Sequence, residues 1–160
     1  MIKINKFFDV EQILLELESL NNKSKQISLQ SPDGDYNNGI GKIEWNPGYT
    51  EKDYCSDNLP HHWELNRAIK ELKLYRTRIM TLSPKECYSW HFDRSPRIHL
   101  ALETNENCFF VEDKELVHIP SDGYPYWVDT TKYHTAMNCD LNINRIHLVG
   151  CTDMVVNHHD

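Results

Sequence analysis

The chain has 160 residues, of which 39% are hydrophobic and 26% charged, and this length and composition predict one globular domain with a single core. The formal net charge of −7 would repel a phosphate backbone, so nucleic acid is not an expected partner. No run approaches the roughly 18 apolar residues of a membrane-spanning helix, so a soluble protein without membrane association is expected.

The first twenty residues predict an amphipathic helix rather than a signal peptide. Acidic residues interrupt the leucines of this segment, and no small-residue cleavage site follows it. The five cysteines are an odd number and include no CxxC pair, which argues against a disulfide framework and against a zinc finger. We therefore expect a protein of the reducing cytoplasm.

Two helices are expected in the first half of the chain. Asp9 begins a capping-box pattern, and apolar residues then recur at helical spacing over residues 9 to 21. Residues 21 to 57 are rich in Asn, Gly, Ser, Pro and Asp, which predicts turns, short strands and mobile loops. Pro60 stands where a first-turn proline belongs, and the apolar spacing after it predicts a second helix over about residues 60 to 73.

Beyond residue 73 the hydrophobic period changes to two. Eight short segments rich in β-branched and aromatic residues are separated by turn-forming residues. They are LYRTRIMTL, YSWHFD, RIHLALET, CFFVED, ELVHIP, YPYWVD, HTAMN and RIHLVGCT. Short strands at this density predict a mainly β fold of antiparallel sheets, for which a jelly roll is one solution. Residues 1 to 72 would support a β core formed by residues 73 to 152.

The segment YSWHFD contains the first candidate for chemistry. Strand alternation would point His91 and Asp93 to one face, and Trp90 and Phe92 to the other. Two imidazoles and one carboxylate form the facial triad of non-haem Fe(II) oxygenases. His134, which opens the segment HTAMN, is the best third ligand. A lone HxD pair is a weak motif, and its alternative is a hydrogen-bonded pair that orients a surface loop.

Basic residues on two other predicted strands indicate an anion site. Arg145 alternates with apolar residues in RIHLVGCT, and its planar guanidinium suits the far carboxylate of a dicarboxylate such as 2-oxoglutarate. Arg145 is therefore the expected cosubstrate anchor, and a structural ion pair with Asp140 or Asp153 is the alternative. In RIHLALET, Arg97 and His99 share one strand face and are expected to line the same cavity.

Taken together, these segments resemble the 2-oxoglutarate oxygenases of the aspartyl/asparaginyl β-hydroxylase type, in the double-stranded β-helix (cupin-like) superfamily. The matching segments are WHFD, RIHLALETN, YWVDTTKYHTAMN and RIHLVG, and they cover about residues 73 to 152. The resemblance implies a double-stranded β-helix (jelly roll) with N-terminal supporting helices. It also implies that His91 and His134 bind the iron. The same resemblance implies that Arg97, His99 and Arg145 contact 2-oxoglutarate.

Asp93 is where the chain departs from this family. Aspartyl/asparaginyl β-hydroxylases lack a carboxylate ligand at this place, whereas related prolyl and free-amino-acid hydroxylases keep the full His-x-Asp...His set. The resemblance implies Fe(II), 2-oxoglutarate and O2 as cofactor and cosubstrates, with ascorbate as a supporting reductant. The expected enzyme is a dioxygenase that hydroxylates an amino-acid side chain, Asp/Asn or Pro in a peptide or protein.

Two other functions fit the same residues. The first is a hydroxylase of a free amino acid or another small metabolite, in which residues 22 to 57 would form a closing lid. The second, from a different class, is a non-catalytic cupin-like module that binds a metal or another ligand. The sequence does not determine the oligomeric state.

Two pairs of neighbouring histidines are expected to have no part in the chemistry. The pairs His61-His62 and His158-His159 resemble a second metal site, but neighbouring side chains do not converge on a helix and chain ends fray. Both pairs are therefore expected to be exposed to solvent. Packing in the core or at a rim is expected for four aromatic residues, Trp90, Tyr124, Tyr126 and Trp127. Of these, Trp127 is the best candidate for a substrate contact, because it precedes His134 on the adjacent turn.

Overall fold

The computed structural model describes residues 1 to 43, 47 to 112 and 114 to 156. The described chain is mainly β, as predicted, with two α-helices and two antiparallel sheets. The helices are α1 (Val10–Ser19) and α2 (Glu64–Glu71), and short 3₁₀ helices lie at Tyr36–Gly39 and Glu51–Asp53. The strands are β1 (Ile2–Lys3), β2 (Gln26–Ser28), β3 (Tyr75–Leu82), β4 (Glu86–Cys87), β5 (Arg97–Glu103), β6 (Cys108–Glu112), β7 (Glu115–Val117), β8 (Tyr126–Val128), β9 (His134–Asn138) and β10 (Arg145–Cys151).

The larger sheet has six strands in the order β1-β8-β5-β10-β3-β2, and the smaller has four in the order β4-β9-β6-β7. Strand β10 lies at the centre of the larger sheet, where Leu148 is opposite both Leu100 and Ile79. The next residue, Val149, is opposite His99 on one side and Arg78 on the other. Because directly opposite residues point to the same face, one face of this sheet is apolar and the other carries basic residues.

The apolar face of the larger sheet packs against the helices. Its strands and the helices share one buried cluster that includes Phe8, Ile13, Leu29, Leu65, Leu72, Ile98, Leu100 and Leu148. Each fully buried side chain of this kind stabilises the fold by about 1.5–3 kcal/mol. In the described part of the chain no helix is long and apolar enough to cross a membrane. The helices cover one face of the larger sheet and leave its basic face to the smaller sheet.

Helix α2 begins later than the sequence predicts, at Glu64 rather than near Pro60. The N-cap residue Trp63 makes no side-chain cap. Instead, the buried Glu16 carboxylate of α1 accepts hydrogen bonds from the backbone N–H groups of Glu64 (2.7 Å) and Leu65 (3.0 Å). Unpaired N–H groups of the first turn determine where a helix can begin. The cap therefore comes from another helix, which the local pattern around Pro60 does not reveal.

Seven of the eight predicted strand segments contain a strand. The eighth, YSWHFD, does not: within it only His91 forms an isolated bridge, to His134. Three short strands, β1, β2 and β4, lie outside the predicted segments. Strand β2 falls in the stretch from 21 to 57, where turns and short strands were expected.

Candidate metal centre

A shift in backbone pairing brings the two predicted histidine ligands together. Strand β4 pairs with β9 so that Cys87 is opposite Met137, and the same register continued would place Trp90 opposite His134. Instead, His91 and His134 exchange two backbone hydrogen bonds, of 3.1 and 2.8 Å. The chain therefore accommodates one extra residue before His91, as in a β-bulge, which re-aims side chains. Directly opposite residues point the same way, so both imidazoles lie on one side.

This irregular pairing is the reason why YSWHFD is not a strand, although the predicted alternation of its side chains is retained. Trp90 is 51% exposed and Phe92 is 58% exposed, whereas His91 and Asp93 turn towards His134. The backbone N–H of Asp93 donates to the carbonyl of Thr130 at 2.8 Å, which fixes this end of the segment. His91 and Asp93 therefore share one side, as the HxD pattern predicts.

The donor atoms of His91, Asp93 and His134 all lie within 4.8 Å of one another, and this group can hold a metal ion. His134 Nε2 is 3.8 Å from Asp93 Oδ2. The Nδ1 atoms of His91 and His134 lie 2.6 and 2.9 Å from the carbonyl oxygens of Ser89 and Lys132. A carbonyl only accepts, so each Nδ1 carries the proton and each Nε2 presents a lone pair. Burial lowers the pKa of His134, which favours the neutral form that binds metals.

Arg97 lies beside this centre, and its guanidinium is engaged by protein groups. Its Nε is 3.3 Å from Asp93 Oδ2, and its Nη2 donates to Glu51 Oε1 at 2.7 Å. Its Nη1 lies 2.5 Å from Ser95 Oγ and 2.7 Å from Cys151 Sγ. Arg97 thus connects the candidate ligand Asp93 to a buried carboxylate of another segment. Its predicted contact with 2-oxoglutarate stays a prediction.

A cavity of about 690 Å³ lies between the two sheets, within the range of ~300–1,000 Å³ that is usual for ligand pockets. We call it the inter-sheet cavity. The larger sheet lines it with Arg78, His99 and Arg145, and the smaller sheet with Phe110 and His134. Five of the six arginines of the chain line this cavity, although they are dispersed in the sequence. Positive charge is therefore concentrated inside a protein whose net charge is negative.

Among the described residues, Arg145 is the most buried arginine that does not pair with an acid. It is 3% exposed, and its Nη2 donates to His147 Nδ1 at 3.1 Å. The two acids considered as alternative partners are engaged elsewhere: Asp140 accepts from backbone N–H groups and Asp153 pairs with Lys52 at 2.8 Å. Burial lowers the pKa of Arg145 to about 10, so it remains a cation at neutral pH. The absence of a carboxylate partner, within the described residues, leaves it able to bind an anion.

His99 presents two unused polar atoms at the same cavity. Neither ring nitrogen has a hydrogen-bond partner, and Nε2 of the neighbouring His147 is also unpartnered. The His99 ring contacts His147 and Phe110 edge-on, with centroids 5.8 and 5.4 Å apart. Burial lowers the pKa of His99 well below its usual value, so the ring is neutral. Buried polar atoms without partners are uncommon in native proteins, and here they indicate a site for a polar ligand.

The sequence did not identify Glu51 or Arg78 as residues of this site. Burial acts to raise the pKa of Glu51, but the charges and hydrogen bonds of Arg97, with Ser95 and Arg76, outweigh it and hold the pKa at about 2. Nothing local marks Glu51, because its partners are distant in the chain. The sequence does contain a feature that points to Arg78. This charged residue shares a strand face with Met80 in LYRTRIMTL, and a charged side chain on such a face needs a polar environment.

The other histidines and aromatic residues are arranged largely as predicted. His61 and His62 are exposed, whereas His158 and His159 lie outside the described residues. Trp127 packs partly buried against the core, and its indole N–H donates to the Met154 carbonyl at 2.9 Å. The exposure predicted for His61 and His62 is thus confirmed.

Comparison with known proteins adds no family assignment to this geometry. No model of a protein family matches the sequence, and no curated protein matches it either.

Proposed function

We propose that this chain is an Fe(II)- and 2-oxoglutarate-dependent dioxygenase that hydroxylates an amino-acid side chain. One observation carries the proposal: the His91, Asp93 and His134 group and the unpaired Arg145 face the same cavity. A facial triad and a separate anion receptor are what a chelating dicarboxylate cosubstrate requires. The two antiparallel sheets that carry these groups support assignment to the double-stranded β-helix (jelly roll) superfamily.

The donor set fits a ferrous ion. Two imidazoles and one carboxylate suit Fe(II), and three ligands on one side leave positions for 2-oxoglutarate and O2. When bound, iron would couple the oxidative decarboxylation of 2-oxoglutarate, to succinate and CO2, to hydroxylation of the substrate. The carbonyls of Ser89 and Lys132 orient the two imidazoles. The contact with Arg97 holds the Asp93 carboxylate in place.

Arg145 would bind the carboxylate of 2-oxoglutarate that lies away from the metal. Its hydrogen bond to His147 fixes the direction of the guanidinium, and its other N–H groups remain for the cosubstrate. His99 is neutral, so one ring nitrogen donates and the other accepts. Both nitrogens are without partners in the described protein, and a cosubstrate oxygen would satisfy the donor. This role agrees with the one that the family resemblance implies for His99.

The substrate would enter past a group of exposed aromatic residues. Trp90 stacks on Tyr133 with ring centroids 6.3 Å apart, and Phe92 meets the same ring edge-on at 5.3 Å. Such rings provide apolar contact area at the edge of a binding site. We propose an aspartyl, asparaginyl or prolyl side chain in a peptide or protein as the substrate. A free amino acid or other small metabolite is the second candidate, which the arginine-lined cavity favours.

The proposal is tested by following 2-oxoglutarate turnover. Purified protein is supplied with Fe(II), ascorbate and 2-oxoglutarate, with and without a panel of aspartyl, asparaginyl and prolyl peptides and free amino acids. We expect succinate formation by the wild type and by His62→Ala, whose imidazole is exposed. His134→Ala should form none, and Arg145→Met should form much less than the wild type when 2-oxoglutarate is below saturation. Iron binding without 2-oxoglutarate binding or succinate formation would contradict the proposal and favour a non-catalytic metal-binding module.

A further inference from the structure

We infer that the inter-sheet cavity contains a second anion-binding site, centred on Arg78, which receives a carboxylate or phosphate group of the substrate. The inference rests on the proposed function, because it assigns Arg145 to 2-oxoglutarate. It also narrows that function, since a neutral asparaginyl or prolyl side chain would leave Arg78 without a partner. An acidic side chain, or the acid group of a small molecule, would provide one.

Arg78 is a cation without an acidic partner in the part of the chain that the structure describes. It lines the cavity, and its Nε is buried with no hydrogen-bond partner. The nearby acid, Glu51, is already shared by two other arginines, Arg76 at 2.9 Å and Arg97 at 2.7 Å. Burial, together with the positive charges of Arg76 and Arg97, lowers the pKa of Arg78 to about 10, so it stays protonated at neutral pH. Such a group is stabilised when an anion binds.

The positions of Arg78 and Arg145 in the sheet separate their roles. Arg78 is opposite Val149, four residues along β10 from Arg145, which corresponds to roughly 13 Å along the strand. Of the two carboxylates of 2-oxoglutarate, one would chelate the metal and the other would pair with Arg145. Neither remains for Arg78. Arg78 and the candidate ligand Asp93 line the same cavity, so a group bound at Arg78 shares that cavity with the metal.

The balance of charge in the cavity also favours an anionic substrate. Apart from Arg94, its described lining includes five cationic side chains and two carboxylates, those of Glu51 and Asp93. A ferrous ion and a 2-oxoglutarate dianion cancel each other, so their binding leaves this excess of positive charge unchanged. Positive potential in an enclosed cleft attracts anions from solution and raises their local concentration. An anionic substrate reduces this excess of positive charge, whereas a neutral one does not.

The test uses the full chain, loaded anaerobically with Mn(II) and saturated with 2-oxoglutarate. Two probes, N-acetyl-L-aspartate and inorganic phosphate, are titrated, and binding near the metal is read from the Mn(II)-induced relaxation of their proton or phosphorus NMR signals. Arg78→Met removes the cavity charge and Arg78→Lys retains it. Lys23→Met removes an exposed charge outside the cavity and is the matched control. Thermal melting verifies that each variant is folded.

We expect at least one probe to bind near the metal in the wild type. Arg78→Met should weaken that binding by roughly tenfold or more, while Lys23→Met leaves it unchanged and Arg78→Lys retains most of it. Binding of the carboxylate probe alone indicates an acidic amino acid, and binding of phosphate alone indicates a phosphorylated substrate. The inference is overturned if neither probe binds, if Arg78→Met binds equally well, or if Arg78→Met loses 2-oxoglutarate itself. Failure of wild-type protein to bind 2-oxoglutarate would instead reject the proposed function.

Discussion

The backbones of His91 and His134 exchange two hydrogen bonds, of 3.1 and 2.8 Å, at a place where the regular register would pair Trp90 with His134. One extra residue therefore decides which side chain faces the cavity. With the regular register Trp90 would turn inward and His91 outward, because opposite residues share a face. The candidate metal centre depends on this local irregularity as much as on the identity of its ligands.

Removing one ligand should abolish tight metal binding. We expect His134→Ala to lower Mn(II) affinity by at least about 100-fold, because loss even of a supporting group costs 10–100-fold. Electron paramagnetic resonance of free Mn(II) measures the affinity. His62→Ala is the control, since His62 is exposed and should bind Mn(II) as the wild type does. Equal affinity in His134→Ala and the wild type would show that the metal binds elsewhere.

The buried Glu51 should make stability depend on acid pH. Its pKa is about 2 in the folded protein, against 4.5 for an unperturbed glutamate, so its ion pairs with Arg76 and Arg97 stabilise the fold above about pH 4.5. That stabilisation is lost as the pH falls from about 4.5 towards about 2. Glu51→Gln should destabilise the protein by about 3–5 kcal/mol at neutral pH.

Urea denaturation of the wild type and of Glu51→Gln across this pH range measures the effect. The difference in their free energies of unfolding should shrink as the pH is lowered. A difference that stays constant between pH 7 and acid pH would show that the Glu51 carboxylate is not held ionised by its arginine partners.

Replacing Arg145 should stabilise the protein in the absence of ligands. Its buried charge has no acidic partner among the described residues, so a methionine of similar length removes a desolvation cost. We expect Arg145→Met to raise the free energy of unfolding by about 0.5–2 kcal/mol. Arg67→Met is the contrast, because Arg67 pairs with Glu64 and Glu71 and its loss should destabilise. Destabilisation of similar size in both variants would indicate that Arg145 is structural.

The geometry around β9 should depend on Asn138. Its buried amide donates to the carbonyls of Leu82 at 3.0 Å and Ile143 at 2.8 Å. Because Asn138→Ala leaves both carbonyls without this donor, we expect a loss of about 2–3 kcal/mol in chemical denaturation. The exposed Asn144 lies in the adjoining loop, and Asn144→Ala should change stability by less than about 0.5 kcal/mol. Equal effects of the two substitutions would contradict this role.

Local patterns were sufficient to predict much of the fold. Alternation of apolar and polar residues identified seven strand segments, and helical spacing after Asp9 identified α1, whose N-cap Asp9 accepts from the backbone N–H of Gln12 at 3.0 Å. The HxD spacing also placed His91 and Asp93 on one side. Each of these features depends on residues close together in the chain, so each can be predicted from a short segment of the sequence.

Features that depend on distant residues were not predictable in the same way. The start of α2 is fixed by Glu16 of α1. The extra residue before His91 is recognised only when the His91–His134 pairing is compared with the register of β4 and β9. The five cavity arginines are dispersed in the sequence. Arg78, Arg145 and Arg97 reach one cavity only because β10 pairs with β3 and with β5. Long-range pairing thus determined the electrostatics of the site.

The most direct test of the central claim is anaerobic calorimetry of 2-oxoglutarate with Mn(II)-loaded protein. The wild type should bind 2-oxoglutarate only when the metal is present, and His134→Ala should lose both ligands together. Arg145→Met should retain Mn(II) and bind 2-oxoglutarate at least about tenfold more weakly, because a charge-assisted, bidentate contact is lost. Equal 2-oxoglutarate affinity in the wild type and in Arg145→Met, or binding that does not require the metal, would contradict the account.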